Sequence, residues 1–363
     1  MDTQFSTGTP NKRGVNAGRS FFEDIYYGFI NVLDTIFSRI QSAIGIKGMA
    51  YLFVIPNLLI FGIFILLPMV LNFGFAFTGG GAELDLNERS WVGTQNVEQL
   101  FQCEDLLDYR TCREDRFVRA VGNTIWFVVS QVSLMVGISL LTALILNQNI
   151  VGRAFFRSVF FYPVLLSPIV VALLWRWILQ ENGIINAFMV WLFNDGSWIN
   201  WLRVTLFRLE PFVYEPFSFM TSINGARIWV VLISVWSQMG FYTLILLAGL
   251  QAIPGDLYEA ADIDGANSWN KFIGVTLPLL MPTMLVVLVL SLIRAVQVFD
   301  IVFAFTDGGP GTTTLFLVQF IYDNGFTQNR RLGIAAAASL VMAIALIIFT
   351  LIQIRLRSRQ GEL

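Results

Sequence analysis

Residues 254–282 read PGDLYEAADIDGANSWNKFIGVTLPLLMP, a polar stretch set between two long apolar runs. Its spacing predicts two short helices joined by a turn. Asp256 is placed to cap the first, with Glu259 three residues on, an Asp variant of the capping box. Leu257, Ala260 and Ala261 give that helix a small apolar face. Gly265 suits the left-handed turn behind it. Ser268 is placed to cap the second helix, in which Trp269, Phe272 and Ile273 point one way, and Pro278 marks the start of the next apolar run. Two exposed helices with alanines along one side fit a cleft on another protein. Spacing alone equally allows an ordinary amphipathic loop.

The flanking runs carry the fold. A bilayer core about 30 Å thick needs roughly 20 apolar residues in helical form, because only helices and closed barrels satisfy every backbone group in hydrocarbon. Apolar runs lie on either side of the loop at about 228–252 and 277–300, and four more at about 50–77, 121–147, 156–180 and 333–355. They are too long and too uniformly apolar for barrel strands. The expected architecture is an all-α membrane protein of six transmembrane helices within residues 49–355. On this count 78–118 and 181–226 are loops on one side, while 254–276 and the tail 356–363 lie on the other.

Composition agrees. Of 363 residues, 56% are hydrophobic and 13% charged, too few charges to clothe a soluble chain of this size. The chain has no histidine, which removes Ser–His and Cys–His nucleophilic pairs, imidazole zinc sites and the usual proton switch near neutral pH. A net charge of −2 argues against nucleic acid as a partner, and no metal set is read. An intramembrane enzyme would need a nucleophile–base pair or a metal cluster, and none stands out, so the chain is not read as an enzyme.

Before the first span, residues 20–44 place Phe22, Ile25, Phe29, Leu33, Ile36, Phe37 and Ile40 on one helical face, with Glu23, Asp24, Asp34 and Arg39 elsewhere. Residues 1–48 are therefore expected to hold an amphipathic helix, lying in the membrane interface or packed on a partner subunit. Asn182–Asn194 is too short to span and reads as interfacial or re-entrant. No secretory signal with a cleavage site is read before the first span, so that span is expected to direct insertion. Positive charges divide almost evenly between the two sides, but Arg153 and Arg157 in a short loop and Arg355, Arg357 and Arg359 in the tail favour cytoplasmic termini. Cys103 and Cys112 would then lie outside the cytoplasm, as a disulfide or as two unrelated thiols.

Polar groups inside spans are costly and hence candidates for function. Ser291, Arg294, Gln297 and Asp300 fall three apart and are expected to share one helical stripe. Arg294 either lines a path, snorkels outward or pairs with Asp300; Arg176 reads as a snorkelling anchor. Trp236, Ser237, Gln238 and Tyr242 offer aromatic faces and hydrogen-bonding groups, a mixture that suits a sugar and also suits plain packing. Gly333, Ala335, Ala337 and Ser339 read as a close-packing face. Residues 195–226 carry Trp198, Trp201, Phe207, Phe212, Tyr214, Phe217 and Phe219, either a docking surface or a membrane-surface pad.

Glu259-Ala260-Ala261, Gly265 four residues after Ala261, and Val275-x-Leu277-Pro278 resemble the EAA signature of permeases of ABC importers. That family has Ile where this chain has Val275. AGLQAIP (248–254), LYEAADIDGA (257–266), TDGGPGTTT (306–314), the Ile184-Ile185-Asn186 segment and the alanine run after Gly333 resemble its carbohydrate-uptake subgroup. The resemblance covers about 50–355. It implies the type I importer permease fold, a second permease subunit, two cytoplasmic ATPase subunits and an extracytoplasmic solute-binding protein. It implies that Asp256, Glu259, Ala260, Ala261, Gly265, Leu277 and Pro278 belong to the element that docks on the ATPase. ATP and magnesium would sit on that partner, with no cofactor here; the chain lacks a G-x-x-x-x-G-K-[ST] loop. The same resemblance implies carbohydrate transport by alternating access in a bacterial inner membrane, with a glycerol-phosphate-type solute as the alternative. An ion-coupled secondary transporter would share the composition but should show inverted repeats, and no clear repeat is found.

Overall fold

The computed structural model describes residues 21–81, 83–105, 108–194, 198–208, 210, 213–327 and 330–358. Residues 1–20 of the N-terminal segment, 359–363 of the tail and Phe212 lie outside them, as do the side chains of Phe22, Glu23, Asp24, Ile25, Leu33, Ile36, Trp198 and Arg357. The chain divides into two units, ending and beginning at Leu71 and Asn72.

In the first unit α1 (Phe21–Phe61) is interrupted at Gly45, whose φ of 72° and ψ of 173° lie outside the helical region. Only glycine adopts that φ without strain, so the amphipathic stretch before it and the apolar stretch after it are separate rods. Pro56 lies within the second rod, and Gly62–Leu66 form a wide π turn before α2 (Leu67–Ala76). The most apolar stretch of Phe37–Ala76 has no buried residue. An apolar helix bare on every side belongs against lipid or another subunit.

The second unit runs α3 (Gln95–Phe101), α4 (Asp115–Asn147), α5 (Arg153–Phe161), α6 (Pro168–Leu179), α7 (Ile184–Phe193), α8 (Trp198–Phe207) and α9 (Ile223–Gln251). It continues with α10 (Gly255–Ile263), α11 (Ser268–Lys271), α12 (Leu277–Val296), α13 (Asp300–Phe305), α14 (Leu317–Phe326) and α15 (Leu332–Ser358). Among the described residues, the β structure consists of isolated bridges, Thr78 with Trp91 and Cys103 with Cys112. Among the described residues, five helical segments are long and apolar enough to cross a membrane: Phe37–Ala76, Asp115–Asn147, Ile223–Gln251, Ser268–Val296 and Leu332–Gln353.

The sixth expected span is broken. Arg153–Leu165 and Pro168–Phe193 meet at a bend of 99°. Pro168 disfavours helical backbone at Ser167, which is extended at φ −59° and ψ 134°. The charge-free run 156–180 therefore counts as one span only if this bent pair crosses together. Gly240 of α9 explains how closely the first half packs: a Cβ there would lie 2.2 Å from the Phe160 carbonyl oxygen.

Two cores hold this unit. α4 and α9 form its most extensive helix pair, and α12 packs on both. Phe127, Met135, Ile233, Leu246 and Val287 are buried there. Between apolar helices in lipid such packing acts through van der Waals contact, because the surrounding hydrocarbon is equally apolar. In the second core Leu100, Phe117 and Phe320 pack with Ile334, Ala337 and Ala338. Ala335 to Ala338 are all buried, which lets α15 approach its neighbours closely. Arg176 sits within 3.5 Å of the Ala304 carbonyl of α13.

The segment before α4 is tied down covalently and by charge. Cys103 and Cys112 are joined by a disulfide. Glu114 accepts from both terminal nitrogens of Arg331, just before α15, and from Gln99 Nε2 at 2.7 Å. Burial pushes the Glu114 carboxyl up, but the hydrogen bonds and charges of Arg331 with Gln99 and Arg113 outweigh it and hold it below the ordinary value.

Candidate functional site

The loop between α9 and α12 is a helix–turn–helix. α10 starts two residues earlier than Asp256 would dictate as a cap, because Pro254 occupies the cap position with its fixed φ of −59°. Asp256 instead lies in the first turn, where its charge faces the positive end of the helix dipole. At the other end Gly265 takes φ +71°. Its N–H bonds the Asp262 carbonyl at 3.1 Å, and the Ala266 N–H bonds that of Ala261 at 2.9 Å. This is a Schellman stop, which satisfies carbonyls that would otherwise be orphaned. Asn267, not Ser268, caps the next helix: its side-chain oxygen accepts from the Asn270 N–H at 2.8 Å.

From Ser268 the helix runs unbroken to Val296, with one wide turn at Phe272–Thr276. Tyr258 Oη lies 3.0 Å from Thr276 Oγ1, and Lys271 forms an ion pair with Asp262. Both contacts fasten α10 to the base of the long helix. Glu259 and Ala260 are exposed, Ala261 is half-buried, and Leu277 and Pro278 lie where α12 begins. Ile263 is 88% and Trp269 65% exposed, apolar surface that no part of the described chain covers. Beside it, at the last turn of α9, the Gln251 side-chain oxygen, with its amide turned to suit, accepts from Arg153 Nη2 at 2.7 Å and Arg157 Nη2 at 2.8 Å.

At its far end the same long helix borders a polar pocket of about 430 Å³. Ser237 and Gln238 of α9 line it together with Arg294, Gln297 and Asp300, and Val164, Leu166, Pro168, Val298, Phe299 and Ile301 complete the wall. The Gln238 Oε1 atom is buried and has no hydrogen-bond partner among the described residues. Arg294 places its guanidinium 5.5 Å from the centre of the Phe241 ring. No Arg294–Asp300 ion pair forms among the described residues, so the structural clamp envisaged for Arg294 is absent.

Five of the eight polar candidates in the spans thus converge: Ser237, Gln238, Arg294, Gln297 and Asp300. The reason differs from the expected stripe. The helix ends at Val296, Gln297 is its cap, and Asp300 opens α13. Ser291 is 1% exposed, bonds the Leu288 carbonyl at 3.1 Å and faces the core. Tyr242 is buried, its hydroxyl without a partner among the described residues, also away from the pocket. Trp236 packs edge-on against Trp175, ring centres 5.6 Å apart. The pocket wall from Val164 to Pro168 was not foreseen; the two prolines inside a charge-free run were its signal.

Residues 112–361 match the family model described as binding-protein-dependent transport system inner membrane component. The chain is 31% identical to the arabinooligosaccharides transport system permease protein AraP of Bacillus subtilis (strain 168), over 87% of this chain and 91% of that one. It is 33% identical to the trehalose/maltose transport system permease protein MalF of Thermococcus litoralis, over 85% of this chain and 92% of that one. Its fold is similar to a chain in the crystal structure of a bacterial ABC transporter involved in the import of the acidic polysaccharide alginate. The TM-score is 0.69 at 24% identity, covering 88% of this chain and 99% of that one.

Proposed function

The chain belongs to the binding-protein-dependent transport system inner membrane components, and from that premise we propose that it moves a carbohydrate across the membrane for an ATP-driven importer. It is a multi-pass membrane transport component of a sugar ABC importer family. The finer assignments are ours. The chain works beside a second permease subunit and two ATPase subunits, takes its cargo from an extracytoplasmic binding protein, and keeps both termini in the cytoplasm. ATP and magnesium stay on the ATPases.

One observation carries the mechanism. The exposed helix–turn–helix and the polar pocket are two ends of a single helix, Ser268–Val296. At 1.5 Å per residue that rod is about 40 Å long. A push on α10, held to the rod by Tyr258 and Lys271, is delivered to the pocket as rigid motion. Asp256, Glu259, Ala260, Ala261, Gly265, Leu277 and Pro278 form the docking element, with Glu259 offering its exposed carboxylate to a basic group on the ATPase. Gln238, Arg294, Gln297 and Asp300 then meet the sugar, whose hydroxyls answer the unpartnered acceptor of Gln238. Trp236, Tyr242 and Ser291 act through packing.

The reading is tested by uptake of labelled sugars in cells carrying this chain and its partners. Uptake is expected to vanish when the ATPase active sites are inactivated. Uptake that persists without any ATPase overturns the proposal in favour of an ion-coupled carrier.

A further inference from the structure

A second cavity, of about 880 Å³, opens where the start of α4, the start of α9 and the turn 306–314 come together. Its wall holds two guanidiniums, Arg119 and Arg227, and no carboxylate. Arg227 is held in place by neutral groups and a ring, Arg119 by a ring, a hydroxyl and the Asp115 carboxylate. Arg227 Nη2 donates to Asn123 Oδ1 at 2.9 Å, and its guanidinium lies 5.5 Å from the Trp126 ring centre. Arg119 stacks 4.0 Å from the centre of Tyr109 and donates to Thr312 Oγ1 at 3.1 Å. Asn123 is itself locked, donating to the Thr312 and Leu315 carbonyls at 2.7 and 3.1 Å. Arg119 has an ion-pair partner one turn away in Asp115, at 3.3 Å; Arg227 meets no carboxylate among the described residues.

Positive charge gathered in a pocket, with its geometry fixed in advance and its neutralisation incomplete, selects an anion. The volume lies in the range of small-molecule sites. Arg227 lies eleven residues before Gln238 on α9, about 16 Å along the axis, so the cavity opens toward the same end of the rod as the polar pocket. We propose that this cavity is an outer binding site for an acidic sugar, in which Arg227 and Arg119 grip the carboxylate of a uronate residue before it reaches the polar pocket. The inference rests on the proposed function, since it takes the cargo as a carbohydrate and this end as extracytoplasmic.

The test uses the full-length chain co-purified with its partner subunits and fluorescently labelled trigalacturonate, with labelled neutral galactotriose alongside. Trigalacturonate is expected to bind at least tenfold more tightly than the neutral trisaccharide, and more weakly as salt rises. Arg227→Gln should cost at least tenfold, and Arg227→Lys should restore part of the loss. Co-purification of the partners shows that each variant has folded. Equal binding of both sugars, or unchanged trigalacturonate binding in an Arg119→Gln, Arg227→Gln double variant, overturns the inference. So does loss of binding-protein capture irrespective of cargo, which assigns the arginines to a protein contact. A complex that imports a neutral sugar with ATP yet ignores trigalacturonate refutes this site alone; one that imports no sugar at all refutes the function beneath it.

Discussion

Tyr258 Oη and Thr276 Oγ1 lie 3.0 Å apart, joining the exposed helix α10 to the base of the rod that ends at Arg294 and the polar pocket. Neutral hydrogen bonds of this kind contribute about 0.5–1.5 kcal/mol net. Tyr258→Phe removes the hydroxyl and keeps the ring. Sugar imported per ATP hydrolysed should fall roughly two- to tenfold, by the same energy, while the complex stays assembled. Measuring uptake and hydrolysis on one preparation checks this; an unchanged ratio denies the contact a role in transmission.

Gly240 sets the approach of α9 to α5. A Cβ there meets the Phe160 carbonyl oxygen at 2.2 Å, and that atom is backbone, so the helices themselves must part. Gly240→Ala should destabilise the chain by about 1–3 kcal/mol. Gly137→Ala in α4, where a Cβ meets nothing within 4 Å, serves as the comparator and should be neutral or slightly stabilising. Thermal unfolding of the two variants in detergent should separate them clearly.

The Cys103–Cys112 bond closes a loop beside the start of α4. Chain entropy makes such a short closure worth about 2–3 kcal/mol. Thiol labelling of oxidised, denatured protein should find no free sulfhydryl. Reduction should make the loop around Asp108 cleavable by protease before the rest of the chain. Two labelled cysteines in oxidised protein would rule the bond out.

Acid should loosen the same region. Glu114 titrates below its ordinary value of 4.5 in the folded chain, so it contributes stability above that value and loses it as pH falls through the lower, folded one. Asp323 behaves oppositely: burial raises its carboxyl, against the pull of Arg116, so its contribution favours the folded state at low pH and fades as pH rises. Glu114→Gln should therefore flatten the acid limb of the stability curve, and Asp323→Asn, which removes a contribution that grows as pH falls, should steepen it. Unfolding midpoints between about pH 3 and pH 6 decide it.

Much of this was legible in the residues, for physical reasons that vary from element to element. Gly265 and the alanines of the 254–282 stretch announced a turn between helices, and the structure places that turn at Gly265 with φ +71°. The caps were misplaced because two neighbours compete for each position. Pro254 takes the cap two residues before Asp256, and Asn267 the one immediately before Ser268. Long charge-free runs identified the membrane helices but hid the bend at Ser167, since apolar counting is blind to prolines 163 and 168. The three-residue stripe assumed a helix that in fact stops at Val296, yet Arg294, Gln297 and Asp300 still meet, because the chain folds back into α13. The arginine-lined cavity had no local signal at all. It needs Arg119, Arg227 and Thr312 brought together from three distant segments, which only packing accomplishes.

In the proposed mechanism, force enters this chain at the exposed face of α10 and leaves at the pocket. Glu259→Lys in the assembled transporter, reconstituted in vesicles with ATP and the binding protein, tests it most directly. ATP-driven sugar uptake should be lost, through release or uncoupling of the ATPase subunits, while the two membrane subunits remain paired. Uptake at the wild-type rate in that variant would contradict it.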